Sequence, residues 1–170
     1  MRVLVATASR HGSTAEIAEE IAAALRTVLR ASDPGAVVDL RAAEQVSTVD
    51  GYDAAVLGSG VYLGHWLEGA RTLVDSHTDA LSRIPVWLFS SGPIGDPPLP
   101  QEDPVDVEAL SRQVRARAHR VFAGRLSKRG LRFTERAVVV ALRAPEGDFR
   151  DWTAIREWAS EVGKVLSQDV

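Results

Sequence analysis

The chain has 170 residues, of which 45% are hydrophobic and 25% charged, and its formal net charge at pH 7 is −3. This length predicts one domain over residues 1–170, and the charge balance argues against a nucleic-acid-binding protein, which is usually clearly basic. The absence of cysteine excludes disulfides, thiolate metal sites, iron–sulfur clusters and cysteine nucleophiles. The N-terminus has no signal-peptide layout and no apolar run approaches the roughly 18 residues of a membrane span, so we expect a cytoplasmic protein.

Short apolar runs alternate along the chain with longer segments of helical periodicity. The predicted strands are 2–8, 37–42, 52–60, the start of 84–98 and 120–126. The predicted helices are 13–30, 67–82, 104–119 and 151–168, the last of them capped by Asp151.

Buried strands that alternate with helices indicate a parallel sheet covered on both faces. Five strands in this sequence fit an α/β, flavodoxin-like doubly wound sheet with the spatial order 2-1-3-4-5, which binds ligands at the carboxyl ends of strands 1 and 3. An inserted segment at 127–150 separates the fifth strand from the last helix. We expect a short helix at 131–143, and the β-branched residues of 137–142 leave a strand as the alternative.

The turn after the first strand, "SRHGST", combines hydroxyl groups, backbone N–H groups and the start of a helix. Oriented donors and the positive end of a helix dipole are the components of an anion site. The turn lacks the GxxxxGK[ST] and GxGxxG patterns, so it is neither a nucleoside-triphosphate loop nor a dinucleotide fingerprint. The alternative is that Ser13 or Thr14 only caps the helix. The predicted phosphate-binding residues are Ser9, Arg10, His11, Gly12, Ser13 and Thr14.

Two further loops lie at the same predicted edge of the sheet. Aromatic residues and glycines after strand 3, together with glycines and hydroxyls after strand 4, indicate a site for a planar ring that carries a phosphate tail. For Trp66 the alternative is a core residue, and for His65 the choice is between a proton relay and a surface histidine. The predicted ring-binding residues are Gly60, Val61, Tyr62, Leu63, Gly64, Trp66, Ser91, Gly92, Pro93 and Gly95.

These motifs resemble the flavodoxin superfamily, and most closely the menaquinone-dependent protoporphyrinogen IX dehydrogenase family. The resemblance rests on "SRHGST" (9–14), "VYLGHW" (61–66), "FAGRL" (122–126) and the pair Asp151–Trp152, and it extends over the whole chain. It implies noncovalently bound FMN, with its phosphate on residues 9–14, and electron transfer to a quinone or porphyrinogen-type partner. The shorter insertion and the different character of "SSGPIGDPPLP" (90–100) depart from that family and bear on the porphyrinogen assignment.

Two alternative functions remain open: a flavodoxin-type electron carrier, and a flavin-free flavodoxin-like domain for protein interaction. The segment from Arg112 to Arg136 is rich in Arg and contains a single Glu. It is either a solvated face or a contact to an anionic membrane surface, which would place the protein at the inner face of the membrane. We expect no metal site and no nucleic-acid partner, and the sequence does not determine an oligomeric state.

Overall fold

A five-stranded parallel sheet forms the centre of the fold. The computed structural model describes residues 1–95, 102–127, 137, 139–140 and 145–168. The strands follow the order β2-β1-β3-β5-β6 across the sheet, with β4 as a short antiparallel addition to β3. The strands are β1 (Arg2–Ala8), β2 (Val37–Ala42), β3 (Ala54–Tyr62), β4 (His65–Trp66), β5 (Val86–Ser91), β6 (Ala118–Phe122), β7 (Arg125–Leu126) and β8 (Gly147–Asp148).

The helices cover both faces of this sheet. They are α1 (Ser13–Ser32), α2 (Glu68–Ser76), α3 (Thr78–Leu81), α4 (Val107–Val114) and α5 (Trp152–Gln168). Alternate residues of β1 point to opposite faces, as the pleat requires: Val3 and Val5 pack with α1 and α5, whereas Leu4 and Ala6 pack with α2 and α4. The predicted α/β architecture is therefore confirmed, and the order 2-1-3-4-5 is correct when the short strand β4 is left out of the count.

Several predicted boundaries are wrong. The helix predicted at 67–82 is divided at His77, and the helix predicted at 104–119 covers only Val107–Val114. It ends because Arg115 adopts a left-handed conformation with φ of 53°. The Arg117 N–H then bonds to the Val86 carbonyl, so the chain joins the sheet earlier than the predicted 120–126.

A small ribbon that the sequence analysis did not predict flanks the inserted segment, with β7 at the end of the strand predicted at 120–126 and β8 near the end of 127–150. Strands β7 and β8 pair antiparallel, with Arg125 opposite Asp148. Between them, residues 137, 139 and 140 are helical, and the rest of the helix predicted at 131–143 lies outside the described residues. Asp151 caps α5 as predicted, since its Oδ1 accepts the Ala154 N–H at 2.9 Å. Within the described part of the chain, no helix is long and apolar enough to cross a membrane.

Candidate functional site

The carboxyl ends of β1, β3, β5 and β6 surround a cavity of 560 Å³, a volume typical of small-molecule and cofactor sites. It lies at the switch point of the sheet, where ligands bind in doubly wound folds. Most of the residues predicted from the three loops line it: Ser9, Arg10, His11, Ser13, Thr14, Gly60, Val61, Tyr62, Leu63, Gly64, Ser91, Gly92 and Pro93. Their role in cofactor binding stays a prediction.

Helix α1 begins beside this cavity without a side-chain cap. Its N-cap residue is Gly12, with φ of 85°, and no side-chain hydrogen bond caps the helix. The interpretation that Ser13 or Thr14 only caps the helix is therefore wrong. Because the first-turn N–H groups of a helix have no intrahelical acceptors, this terminus offers donors and a positive dipole end to an anion.

Ser9 supplies a second feature that suits an anion. Its Oγ is buried and has no hydrogen-bond partner among the described residues, although Ser9 lines the cavity. A buried hydroxyl without a partner costs about 1–3 kcal/mol. A phosphate oxygen in the cavity would accept its proton, so the residues present fit a phosphorylated cofactor.

Two glycines allow the segments around the cavity to approach each other closely, Gly92 against the end of β3 and Gly60 against the first turn of α1. A Cβ on Gly92 would come within 3.0 Å of the Val61 Cβ, and one on Gly60 within 3.1 Å of the Thr14 Oγ1. The ring of Tyr62 lies 4.7 Å from the Arg10 guanidinium carbon. Tyr62 therefore presents an aromatic surface at the cavity, beside the phosphate loop.

Trp66, in contrast, is a core residue and not a ring-stacking one. Its side chain is only 1% exposed, and its Nε1–H donates to the Ser90 Oγ at 2.7 Å. Trp66 is also absent from the lining of the described cavity, as are Gly12 and Gly95. The positive φ values of these two glycines, 85° and 97°, give both a role in turn geometry.

Ser90, which accepts the indole N–H of Trp66, begins a polar chain that runs from the core to the exposed Asp103. The Ser90 Oγ lies 2.8 Å from the His119 Nε2, and the His119 Nδ1 lies 3.5 Å from the Asp103 Oδ1. Burial lowers the pKa of His119 below its usual value, although the Asp103 charge opposes this effect. Because the Ser90 Oγ accepts the Trp66 N–H, its own proton is available to the His119 Nε2 when that nitrogen is unprotonated. The ring proton would then lie on Nδ1, toward Asp103 at the cavity.

His65, the predicted proton relay, is held on the outside of the β3–β4 hairpin. Its Nδ1 lies 3.0 Å from an Asp106 carboxylate oxygen, and Asp106 also accepts the Trp66 backbone N–H at 2.9 Å. His65 does not line the described cavity. Its assignment as a proton relay stays a prediction.

Sequence reasoning missed one side of the cavity. Segment 102–105 covers it, and the Val105 N–H bonds to the Gly64 carbonyl at 2.9 Å. The carboxyl end of β6 could have been inferred, because the fifth parallel strand ends at the same edge as strands 1 and 3. The missed lining residues are Leu67, Ile94, Glu102, Asp103, Pro104, Val105, Val121, Gly124, Arg125, Leu126 and Val139.

Comparison with known protein families decides the classification. A family model for the flavodoxin domain matches residues 4–153. The chain belongs to the flavodoxin domain family. Membership of this family indicates FMN as the cofactor, as the sequence predicted. A comparison with curated protein sequences gave no significant match.

Solved flavodoxins share the fold of this flavodoxin domain protein at low sequence identity. A flavodoxin from the domain Archaea aligns with 98% of this chain and 99% of its own, at 13% identity and a TM-score of 0.64. The flavodoxin of Megasphaera elsdenii aligns with 95% of this chain and 98% of its own, at 18% identity and a TM-score of 0.61. The Flv1 flavodiiron core of Synechocystis covers 100% of this chain, which matches 37% of that protein at 15% identity and a TM-score of 0.67. At these identities the likeness establishes the fold alone.

Proposed function

We propose that this protein is an FMN-dependent oxidoreductase that transfers electrons between its flavin and a quinone or porphyrinogen-type substrate. The observation that carries the proposal is the cavity itself. An uncapped helix terminus and Ser9, whose buried hydroxyl has no partner among the described residues, lie at a cavity whose remaining walls are largely apolar. Such a cavity suits a flat ring with an anionic tail.

The chain's own residues would bind and orient the cofactor. The Ser9 hydroxyl and the first-turn N–H groups of α1 would donate to the phosphate. Gly92 lets the loop after β5 approach Val61, and Gly60 lets the end of β3 approach Thr14 of α1. A bound flavin supplies the electron-transfer chemistry, and the protein supplies orientation and electrostatics.

Exposed apolar side chains at the mouth of the cavity favour a substrate with an apolar surface. Leu63 and Val105 line it and are 68% and 72% exposed, respectively. Exposed apolar side chains beside a pocket are typical of surfaces that bind an apolar ligand. A quinone or a tetrapyrrole-like ring has the flat apolar surface that would pack against them.

The alternative of a flavodoxin-type electron carrier is supported by the whole-length likeness to solved flavodoxins. A carrier passes electrons to other proteins and has no site that a small acceptor saturates. Reduction of small quinones therefore distinguishes the two functions.

The contact of region 112–136 with an anionic membrane surface is a separate proposal. Within the described part of that region, Arg112 pairs with Glu108 and Arg125 with Glu16, so these two charges are partly neutralised by carboxylates of the same chain. Co-sedimentation with vesicles of anionic and of neutral lipid tests this contact. Equal, weak binding to both would exclude it.

The function is tested by adding FMN to the purified protein and following the visible spectrum. A shifted or quenched flavin spectrum at a defined stoichiometry is expected, followed by saturable reoxidation of the reduced protein by soluble quinones. Saturable oxidation of a porphyrinogen would select that substrate class. Electron transfer to cytochrome c without saturation by quinones would instead support the carrier, and a protein that ignores FMN would overturn the redox function.

A further inference from the structure

Arg150 is a buried cation that joins the inserted ribbon to the first turn of α1. Its side chain is 2% exposed. The Nη1 donates to the Ser13 carbonyl at 3.2 Å and to the Glu16 Oε2 at 2.7 Å. The Nε and Nη2 donate to the Asp148 carboxylate at 2.8 and 2.6 Å. The guanidinium carbon also lies 4.4 Å from the ring of Trp152.

Arg125 reaches the same helical turn from the other strand of the ribbon. Its backbone N–H donates to the Ser13 Oγ at 3.1 Å, and its guanidinium donates to both oxygens of Glu16 at 3.2 and 2.8 Å. Two arginines thus hold both the carbonyl and the hydroxyl of Ser13, a residue that lines the cavity. The first turn of α1, which would bind the phosphate, is therefore held in position by Arg125 and Arg150.

The two arginines also neutralise two carboxylates near the anion site. Burial opposes the ionisation of Glu16, but Arg150 and Arg125 outweigh it and lower the pKa of Glu16 below its usual value. The hydrogen bond from Arg150 is the main cause of the lowered pKa of Asp148. Both carboxylates are therefore ionised at neutral pH, and the four side chains together carry no net charge.

This neutrality matters because Glu16 lies in the first turn of α1. An unpaired carboxylate there would compete with a bound anion for the positive end of the helix dipole and would repel it. Arg150 and Arg125 together neutralise Glu16, and Arg150 also bonds the Ser13 carbonyl. Without Arg150, the cluster of Arg125, Glu16 and Asp148 would carry a net charge of −1 beside the anion site. The hydrogen bonds of Arg150 to Ser13 and Glu16 lie away from the part of the cavity formed by Tyr62 and Gly92.

We propose that Arg150 is a positioning residue for the cofactor phosphate: it sets the preference of the site for a phosphorylated over an unphosphorylated flavin. The inference rests on the proposed function and adds the residue that controls recognition of the phosphate. It also gives the two ends of the inserted segment a role, because β7 and β8 bring Arg125 and Asp148 to this cluster.

The test compares the affinities of Arg150→Met and of the wild type for FMN and riboflavin, measured by flavin fluorescence. We expect Arg150→Met to weaken FMN binding at least tenfold and riboflavin binding by no more than about twofold. The ratio isolates the phosphate, because the two ligands share the same ring. The loss should shrink at high salt, since screening weakens the repulsion from Glu16.

A second substitution distinguishes an electrostatic role of Arg150 from a purely structural one. Adding Glu16→Gln to Arg150→Met removes the carboxylate that Arg150 neutralises, so at least threefold of the lost FMN affinity should return. A purely structural role predicts no recovery. If Arg150→Met does not fold, Arg150→Lys keeps the positive charge but loses the two-point hydrogen bonding to Asp148, and it is expected to lower the FMN-to-riboflavin preference without an equal loss of riboflavin affinity.

Arg156→Met is the matched control. Arg156 pairs with Glu20 at 3.1 Å, one turn further along α1, and also joins α5 to α1. This variant should keep the wild-type affinity for both ligands. Equal losses for FMN and riboflavin in Arg150→Met, or no loss at all, would overturn the positioning role while leaving the function intact. A wild-type protein that binds neither ligand would overturn both.

Discussion

At the scale of single residues, the candidate anion site depends most directly on Ser9, whose hydroxyl would bind the phosphate. We expect Ser9→Ala to weaken FMN binding by about tenfold or more, because a hydrogen bond to a charged group contributes roughly 1.5–3 kcal/mol. The same change should leave the free energy of unfolding of the FMN-free protein unchanged or slightly higher, because the buried Oγ has no partner to lose. Flavin titration and urea unfolding measure the two effects.

Ser160→Ala provides the control for this substitution. Its Oγ donates to the Arg156 carbonyl at 2.8 Å on the exposed side of α5, away from the cavity, so flavin affinity should not change. A Ser9→Ala protein that binds FMN normally would remove Ser9 from the phosphate site. If Ser9→Ala instead lowers the free energy of unfolding, the Ser9 hydroxyl has a structural role.

For single residues, the sequence predicted which types of side chain form the site better than it predicted the direction in which each side chain points. Loop 9–14 was recognisable because hydroxyl groups, a glycine and a helix start directly after a strand are the components of an anion site. Trp66 was misassigned because its position near a loop does not reveal that its indole N–H bonds to Ser90 in the core. Arg150 could not be recognised, since its partners Ser13 and Glu16 lie far away in the sequence.

The β3–β4 hairpin stores strain at its turn. Leu63 and Gly64 have φ of 51° and 79°, the pattern of a type I′ turn, which favours Asn-Gly. A left-handed conformation costs a residue such as Leu about 1–2 kcal/mol. We therefore expect Leu63→Asn to raise the free energy of unfolding by about 1 kcal/mol, as measured by urea denaturation.

Val105→Asn separates this strain from the removal of an exposed apolar side chain. Val105 is 72% exposed, lies beside Gly64 and is not among the described residues with positive φ. Its substitution should change the free energy of unfolding by less than about 0.5 kcal/mol. Equal stabilisation by both variants would show that backbone strain at Leu63 is not the cause.

At the scale of elements, periodicity located helices and strands but not their interruptions. The buried run of β1 and the apolar stripe of α1 were predicted to within two residues, because their patterns are long. Two-residue strands such as β7 and β8 have no periodicity to read. Only the long-range pairing of Arg125 with Asp148 creates them, and β7 contributes Arg125 and Leu126 to the cavity lining that the sequence analysis missed.

For the molecule as a whole, the titrating groups predict two separate steps of acid destabilisation. The pKa of His119 is lowered by burial in the folded state, so the unfolded chain binds its proton first. Stability should therefore fall as the pH drops below about 6.5, by at most about 1.4 kcal/mol per pH unit for one proton. The carboxylates of Glu16 and Asp148 have lowered pKa values, so their contribution is present above about pH 4.5 and is lost below it.

Urea unfolding of the FMN-free protein between pH 7.5 and 3 measures both steps, and His119→Gln assigns the first one. This variant loses the part-buried imidazole that bonds to Ser90, so its overall stability is expected to be lower, but its stability should fall less steeply than that of the wild type between about pH 6.5 and 5. The decline below pH 4.5 should remain, because Glu16 and Asp148 are unchanged. If the upper step persists in His119→Gln, another group is responsible for it, and the Ser90–His119–Asp103 chain does not hold His119 neutral.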